Sequence, residues 1–342
     1  MRYAQCGFTR DMFRLRNAVS RFLIGSLFLL LTGLGANANP FLYVANNANG
    51  TVSVIDAATN TITATITGVG APNAVAITPD KTRIYVASPG TGTISVINTT
   101  TNTVVTTFQI IPPNFKQALP PWGMVFSPDG TRLYVTTGNA QVVAVINPQN
   151  NTVLSSINGF DVPMGIDITP DGKWLYVANS YAASNSVSVV STTTDTVAQI
   201  IFGFSEPIDV AINAAGTYAY IASPPANAIS VLNLATNTIS INIFGFAGPT
   251  STVITPSGTV AYEADGASTV LSEFSTVTNK VLTSIDLNGI PNSIAITPDG
   301  TRAYVTVGGN GAGAVEVINT ANNTVVDTIT GVDNPAGIAL KP

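Results

Sequence analysis

Residues 293–300 read Ser-Ile-Ala-Ile-Thr-Pro-Asp-Gly, and a short β-branched segment around Tyr304 follows them. Alternation of small and large residues ahead of a Thr-Pro-Asp-Gly turn is typical of a strand that enters a hairpin. Proline presets φ at the second turn position, and glycine supplies the left-handed residue that closes the turn. The stretch therefore predicts two antiparallel strands, and copies of it along the chain decide the fold.

A tyrosine in the second of these strands recurs with a period in the forties. Successive tyrosines are separated by 42, 49, 42, 44, 42 and 42 residues. The seven are Tyr43, Tyr85, Tyr134, Tyr176, Tyr220, Tyr262 and Tyr304. Each repeat also holds a segment like residues 51–55, Thr-Val-Ser-Val-Ile, and a fourth like residues 323–329 after a Thr-Asn turn. Four β-type segments per repeat of this length predict blades of four antiparallel strands.

The two ends of the repeat region give the number of blades. The first strand type follows seven prolines: Pro72, Pro121, Pro163, Pro207, Pro249, Pro291 and Pro335. Its last copy has no tyrosine strand after it, whereas the first tyrosine strand, at Phe41, has no such strand before it. Pairing these two segments would remove the unpaired edges of an open ring. We therefore expect an all-β fold, a seven-bladed β-propeller closed by the C-terminal strand joining the N-terminal blade.

Short motifs in the tyrosine strands carry a family resemblance. Residues 43–46 and 176–179 both read Tyr-Val-Ala-Asn, and residues 134–136 read Tyr-Val-Thr. With the Val-Ser-Val-Ile-like strand and the Thr-Asn turn after them, they resemble the YVTN β-propeller repeat family over nearly all of residues 41–342. The resemblance implies an exported prokaryotic protein of the kind described as surface or periplasmic. It transfers no catalytic residue to this chain.

The first 38 residues have a different character. Five arginines precede an apolar run of 13 residues, Phe22 to Leu34, and the small-residue sequence Ala36-Asn37-Ala38 follows. A basic region, a short apolar region and an A-x-A site predict a secretory signal peptide. A membrane anchor needs about 20 apolar residues, so the run is too short to cross a bilayer. The sequence thus predicts a signal peptide at 1–38, one propeller domain at 39–342, and a location in the periplasm or at the cell surface.

Removing this segment changes the composition. Five of the 13 basic and one of the 18 acidic residues precede Asn39, which leaves 8 basic and 17 acidic residues and a formal charge of −9. The single cysteine, Cys6, is removed with it, and the chain contains no histidine. About 300 residues suffice for one closed core, and no linker indicates a second domain.

These absences exclude several classes of function. Without His or Cys the mature chain lacks the usual general base, the thiolate nucleophile and the common ligands of zinc and haem. No cofactor and no metal site are expected. Nucleic acid is a poor partner, because affinity for phosphates comes largely from Lys and Arg. The mature chain is expected to be a monomer with no membrane span.

Changes in loop length point to one face of the disc. The interval from the fourth-strand turn to the next proline is 19 residues between Asn102 and Pro121, against 12 elsewhere. Two intervals between the second and third strands are lengthened as well. Both kinds of loop emerge on the same face of an up-and-down blade, and function tends to lie in variable loops on a rigid scaffold. The insertion supplies Phe115 and Lys116 and runs into Trp122, the largest residue at its position in any repeat.

Three further aromatic residues follow in consecutive blades: Phe160, Phe204 and Phe246. Two interpretations are open. They form an aromatic arc with Trp122 beside the channel mouth, suited to a partner or an apolar ligand, or they cover the core between blades, since large apolar residues are mostly buried.

Three acidic residues interrupt the repeat. Asp167 and Asp209 take places in the innermost strand that Ala, Val, Gly or Ser hold elsewhere. They either bind a cation or polar ligand, or are solvated in a water-filled tunnel. Glu263 replaces the Val or Ile of every other repeat and is interpreted as a locally paired or edge-exposed carboxylate rather than a catalytic acid.

Two functions of different class follow. The first is an exported binding or surface-interaction scaffold that uses the loop-bearing face. The second is a carboxylate-dependent, lactonase-like hydrolase that uses Asp167 and Asp209, although this chain departs from lactonase-type propellers in lacking histidine. A catalytic pair would lie close together at an open mouth, with one pKa raised by its neighbour.

The signal peptide gives a first prediction. Cleavage after the Ala36-Asn37-Ala38 site should make Asn39 the N-terminal residue of the exported protein. Mass spectrometry of exported protein should show this terminus. Retention of Arg14 or Leu30 in that protein would contradict the assignment.

Overall fold

The computed structural model describes residues 40–309 and 313–342. The predicted signal peptide, residues 1–38, lies outside the described residues. The described residues form 28 strands in seven four-stranded antiparallel sheets, with two 3-10 turns at Gly138–Ala140 and Pro224–Ala226. This architecture confirms the expected all-β, seven-bladed propeller.

The strands fall into four classes by their place in the blade. The innermost strands are β4 (Ala74–Ile77), β8 (Met124–Phe126), β12 (Pro163–Ile168), β16 (Asp209–Ile212), β20 (Pro249–Ile254), β24 (Ile290–Ile296) and β28 (Pro335–Lys341). The second strands are β1 (Phe41–Asn46), β5 (Arg83–Ser88), β9 (Leu133–Thr136), β13 (Trp174–Asn179), β17 (Tyr218–Ser223), β21 (Val260–Asp265) and β25 (Arg302–Gly308). The third strands are β2 (Thr51–Asp56), β6 (Thr93–Asn98), β10 (Val142–Asn147), β14 (Ser186–Ser191), β18 (Ala228–Asn233), β22 (Val270–Ser275) and β26 (Ala314–Asn319). The outermost strands are β3 (Thr61–Thr67), β7 (Thr103–Gln109), β11 (Thr152–Asn158), β15 (Thr196–Phe202), β19 (Thr238–Phe244), β23 (Lys280–Asp286) and β27 (Thr324–Thr330).

The ring closes by pairing the two ends of the propeller, as expected. Strand β28 is antiparallel to β1, with Leu42 opposite Leu340 and Val44 opposite Ile338. Blade 1 therefore consists of β28 and β1–β3, and blades 2 to 7 each take the next four strands in order. The seven innermost strands contact one another around the axis in an unbroken circle.

The hydrophobic core lies between blades rather than within them. In β1, Leu42 and Val44 pack against blade 7, next to Val315 and Val317. Tyr43 points the other way, into the cluster shared with blade 2. Successive strand residues point to opposite faces, so each blade buries both faces against its neighbours.

The repeated tyrosines join adjacent blades through their hydroxyl groups. All seven rings are buried, with at most 2% exposure. In most blades the hydroxyl donates a hydrogen bond to an asparagine in the hairpin between the third and outermost strands of the next blade. The pairs and distances are Tyr43–Asn102 at 2.8 Å, Tyr85–Asn151 at 2.6 Å, Tyr176–Asn237 at 2.8 Å, Tyr262–Asn323 at 2.7 Å and Tyr304–Asn60 at 3.1 Å.

The accepting asparagines adopt a backbone conformation that few residues tolerate. Asn102 has φ 53° and Asn151 has φ 57°. Asn and Asp occupy this left-handed region more readily than other residues with a side chain. Blade 4 carries Asp195 at this position, also with positive φ. Arg132 of blade 3 binds both oxygens of that carboxylate at 2.8 Å, so an ion pair also links these two blades.

Glycine permits close contact at two kinds of position. Gly172, in a Thr-Pro-Asp-Gly turn, has φ 72°, and a Cβ there would lie 3.2 Å from Pro128 Cδ of the preceding blade. Gly165, in β12, approaches β16 so closely that a Cβ would lie 2.6 Å from Asp209 Cα. Small residues in the innermost strands therefore let the strands converge around the axis.

The tyrosine contacts give a second prediction. Tyr43→Phe should lower the free energy of unfolding by about 1–2 kcal/mol, because it leaves the Asn102 carbonyl without its donor. Denaturant unfolding of the purified protein measures this change. Tyr181→Phe is the matched control, because Tyr181 is 52% exposed and its change should stay within about 0.5 kcal/mol. Equal effects of the two substitutions would show that the hydroxyl bond does not stabilise the ring.

Candidate functional site

A cavity opens at the axis where the innermost strands begin. Its volume is about 560 Å³. It lies on the face that carries the loops between second and third strands and the connections between blades. The polar lining residues are Asn47, Asn73, Thr250, Ser251, Asn292, Ser293 and Asn334. The remaining lining residues are apolar or glycine, so none of the described lining side chains titrates.

Some of these amides are fixed by the fold and others are free. Asn47 Nδ2 donates to the Pro72 carbonyl at 3.2 Å, and Asn292 Nδ2 donates to the Pro335 carbonyl at 2.8 Å. Among the described residues, neither of the two side-chain carbonyl oxygens accepts a hydrogen bond. Within the described part of the chain, the side chains of Asn73 and Asn334 have no protein hydrogen-bond partner. The mouth thus presents both amide donors and amide acceptors to a ligand.

Trp122 lies on the loop-bearing face but does not line this cavity. It is partly buried, and its backbone N–H donates to the Thr136 carbonyl at 2.9 Å. Its indole covers Gly138, where a Cβ would lie 2.6 Å from Nε1. Gly138 also has φ 54°. The indole is therefore held against the loop between β9 and β10.

The insertion after β7 folds back on itself. Ile110 and Leu119 form an isolated bridge and are both buried. Phe115 packs against the core cluster of blades 2 and 3, whereas Lys116 is exposed. The insertion brings a single cation to the loop-bearing face and buries most of its aromatic surface.

The three phenylalanines Phe160, Phe204 and Phe246 do not form an exposed arc. Their exposures are 6%, 7% and 5%, and each belongs to a core cluster between two blades. Phe246 also contacts Phe274 edge to face at 5.7 Å. Of the two interpretations left open by the sequence, the structure matches the inter-blade core, and these residues are corrected from binding candidates to core residues.

Asp167 and Asp209 connect neighbouring innermost strands. Asp167 accepts the backbone N–H groups of Ile168 and Ile212, each at 2.8 Å. Asp209 accepts the backbone N–H of Thr252 at 2.8 Å. Each carboxylate therefore holds the innermost strand of the next blade. Their positions in the repeat differ by two residues, which places them at different heights along the axis.

Burial sets the protonation of both groups. Loss of hydration raises the pKa of Asp167 from its usual 3.8 to about 7, although the two backbone N–H bonds oppose this and Asp209 adds to it. Loss of hydration likewise raises the pKa of Asp209 to about 6. Both side chains are only partly exposed along the axis. These raised pKa values lie closer to the range that acid–base chemistry uses than the ordinary value of an aspartate does.

Glu263 is a paired internal carboxylate, in line with the interpretation from sequence. It has no solvent exposure. Ser251 N–H donates to Oε1 at 3.0 Å and the Thr252 hydroxyl donates to Oε2 at 2.5 Å. Burial raises its pKa well above the usual value. Because Thr252 also donates its N–H to Asp209, this residue links the two carboxyl groups.

A second cavity, of about 420 Å³, lies toward the opposite end of the axis. Asp167 lines it together with Ile212, Thr252 and Thr297, whereas Asp209 does not line it. The two aspartates therefore do not share one open cavity. Within residues 40–309 and 313–342, no three His, Cys, Asp or Glu side chains come together as a metal site.

The amides of the mouth are the site feature that the sequence reasoning missed. Asn73 and Asn292 directly follow the regularly spaced prolines Pro72 and Pro291, and Asn334 directly precedes Pro335. Polar residues flanking those prolines were the available signal. The two aspartates were expected at the axis, where they lie, but their backbone partners were not expected.

Fold and site together define a closed seven-bladed propeller with a neutral polar mouth and carboxylates between its inner strands. The chain belongs to the family described as Lactonase, 7-bladed beta-propeller, whose model matches residues 37–256. No curated protein matches its sequence. The described part of the chain holds no helix with the length and hydropathy needed to cross a membrane.

Solved structures of low identity share the fold. A functionally unknown protein from Desulfotomaculum acetoxidans is 20% identical with a TM-score of 0.76, over 88% of this chain and 98% of that chain. Kuenenia stuttgartiensis hydrazine synthase is 21% identical with a TM-score of 0.64, over 72% of this chain and 76% of that chain. Dihydro-heme d1 dehydrogenase NirN in complex with DHE is 12% identical with a TM-score of 0.67, over 87% of this chain and 74% of that chain. At these identities the similarity shows the fold alone.

The raised pKa values give a third prediction. A carboxyl group whose pKa is higher in the folded state stabilises the fold below its unfolded pKa, and this contribution is lost as the pH rises through the folded value. The free energy of unfolding should therefore fall by about 1–3 kcal/mol between pH 5 and pH 8. The lower end of this range applies if the two side chains keep part of their hydration along the axis. The chain has no histidine to oppose this change, and burial raises the pKa of Glu263 in the same direction.

Denaturant unfolding at the two pH values measures this effect. Asp167→Asn should reduce, but not abolish, the difference between pH 5 and pH 8, because it removes one of the carboxyl groups whose pKa burial raises. Asp129→Asn is the matched control, since hydrogen bonds from Ser127 and Thr131 hold the pKa of Asp129 below its usual value. Wild-type stability that stays flat or rises from pH 5 to pH 8 would contradict the assignment.

Proposed function

We propose that the protein is an exported binding protein that takes a neutral polar ligand in the mouth cavity of its loop-bearing face. The observation that carries the proposal is the lining of that cavity. Amide and hydroxyl groups converge there, and no described lining side chain titrates. Its volume of about 560 Å³ lies within the range of small-molecule sites. Ligands with several hydroxyl or amide groups match this lining.

The location and assembly state belong to the same proposal. The resemblance to YVTN repeats and the basic, apolar and small-residue pattern of residues 1–38 support export to the periplasm or cell surface. Because β28 pairs with β1, neither strand has a free edge at the closure that could pair with a second molecule, and this supports a monomer. Trp122 and Lys116 lie on the same face as the cavity and offer contacts to a larger ligand or protein partner.

Lactonase-type hydrolysis is the second candidate, and two observations favour it. The matching family model describes lactonases. Asp167, with its pKa raised to about 7, lines the second cavity, which lies toward the opposite end of the axis. Against it, both oxygens of Asp167 already accept backbone N–H groups. Asp209 does not line the same cavity, and the chain lacks histidine. Binding without turnover is therefore the function that the geometry supports best.

A fourth prediction separates the two functions. Methyl α-D-glucopyranoside serves as a neutral polyhydroxylated probe, and D-glucono-1,5-lactone serves as a cyclic ester. Calorimetry should detect binding of both, while a pH-stat should show lactone hydrolysis at the uncatalysed rate. The double change Asn73→Ala and Asn334→Gly should weaken binding about tenfold, since it removes two hydrogen-bonding groups, and glycine tolerates the positive φ of position 334.

Asn139→Ala is the matched control, because Asn139 is exposed in the loop between β9 and β10 but does not line the cavity. Binding that survives the double change would exclude the mouth cavity as the site. Accelerated lactone hydrolysis that Asp167→Asn abolishes would instead establish the hydrolase.

A further inference from the structure

A groove lies between blades 4 and 5 on the face opposite the loop-bearing face. Its volume is about 550 Å³. Two aromatic residues line it: Trp174 at the start of β13 is 39% exposed, and Tyr218 at the start of β17 is 38% exposed. Thr169, Asp171 and the segment Asn233-Leu234-Ala235 complete the walls. Large, partly exposed aromatic side chains in a groove of this size are typical of binding sites.

In three other blades an arginine occupies the position of Trp174. Arg83 and Arg302 begin the second strand of their blade, and Arg132 directly precedes it. Each guanidinium donates from Nη1 to a backbone carbonyl of the next blade: Pro148 at 3.4 Å, Thr192 at 3.3 Å and Ala57 at 3.1 Å respectively. The fold thus contains a guanidinium position that is used repeatedly between blades.

The arginine fills its groove. Between blades 2 and 3 the equivalent space, lined by Arg83, Asp80 and Pro148, is only about 160 Å³. Between blades 4 and 5, where Trp174 replaces the arginine, it is about 550 Å³. Leu234 holds the place of Pro148, and among the described residues its carbonyl oxygen accepts no hydrogen bond. The groove between blades 4 and 5 therefore has the backbone carbonyl that accepts a guanidinium in the other blades, but it has no arginine to donate to it.

Asp171 supplies a carboxylate to the wall of the groove. The hydroxyl of Thr169 donates to Asp171 at 2.6 Å and holds the pKa of that carboxyl below its usual value, so it is ionised. Asp171 also pairs with Lys173 at 3.2 Å, but the two side chains are 51% and 69% exposed respectively, and exposed pairs of this kind are weak. The faces of tryptophan and tyrosine rings also attract cations.

We propose that this groove binds a guanidinium group, which donates to the Leu234 carbonyl and the Asp171 carboxylate and stacks against Trp174 and Tyr218. The planar guanidinium suits both stacking and paired hydrogen bonds. The group comes either from a small guanidine or from an arginine side chain of a partner. The site is independent of the proposed ligand cavity, because it lies on the opposite face.

Tryptophan fluorescence and calorimetry test the proposal. The chain has two tryptophans, so Trp122→Phe leaves Trp174 as the reporter. N-acetyl-L-arginine methylamide should bind, and the corresponding citrulline amide, which has the same shape without the charge, should bind at least about tenfold more weakly. Trp174→Arg, which restores the residue of blades 2, 3 and 7, should fill the groove and abolish binding while the protein stays folded.

A second variant and a second probe keep the result decisive. Asp171→Asn preserves the volume of the groove and should weaken arginine binding severalfold. The proposal would be overturned if the arginine and citrulline amides bound equally well, if neither bound, or if Trp174→Arg left binding unchanged. Preferential binding of a methyl glycoside would overturn it as well. If methylguanidine binds as tightly as the peptide acetyl-Gly-Arg-Gly-amide, the guanidinium group comes from a small guanidine. If the peptide binds more tightly, the group comes from an arginine of a protein partner.

Discussion

The hydrogen bond from a buried tyrosine hydroxyl to the next blade is the constraint on which this ring depends. A phenol oxygen removed from water must find a partner, and the third-to-fourth-strand hairpin must hold a residue that tolerates positive φ. One asparagine side chain meets both requirements, as Asn102 does for Tyr43. The contact between blades 5 and 6 departs from this rule, because Asn279 Oδ1 has no partner among the described residues.

Polar side chains near the axis play a similar role, because they join a strand of one blade to the innermost strand of the next. Thr136 Oγ1 donates to the Met164 carbonyl at 2.7 Å, and Thr306 Oγ1 donates to the Ala336 carbonyl at 2.7 Å. Asp167 and Asp209 make the same kind of bridge with the opposite polarity, since they accept backbone N–H groups. Residues that resemble a catalytic pair in the sequence are thus part of the ring's internal bonding.

The sequence predicted the number of blades, the strand order and the closure, because strand alternation, turn chemistry and a fixed period all depend on nearby residues. It did not decide the fate of Phe160, Phe204 and Phe246, which depends on where each blade connection turns. Glycines of positive φ, such as Gly159 at 99°, precede all three and direct them inward. Val69 and Val332 are buried after the same kind of glycine, a signal available in the sequence. The mouth amides depend on distant segments meeting at the axis, which no local pattern reports.

Closure by β28 also determines the order in which the molecule can fold. The pairing of Phe41 with Lys341 joins residues 300 positions apart, and contacts of such sequence separation form slowly because a long loop must close first. Until then β1 presents a free edge, and blades 1 and 7 cannot bury Leu42 or Val315 against each other. Blades 2 to 6 have all their strands available earlier in synthesis. We therefore expect one seven-residue strand to complete the ring last, and a chain without this pairing to expose the edge of β1 to aggregation.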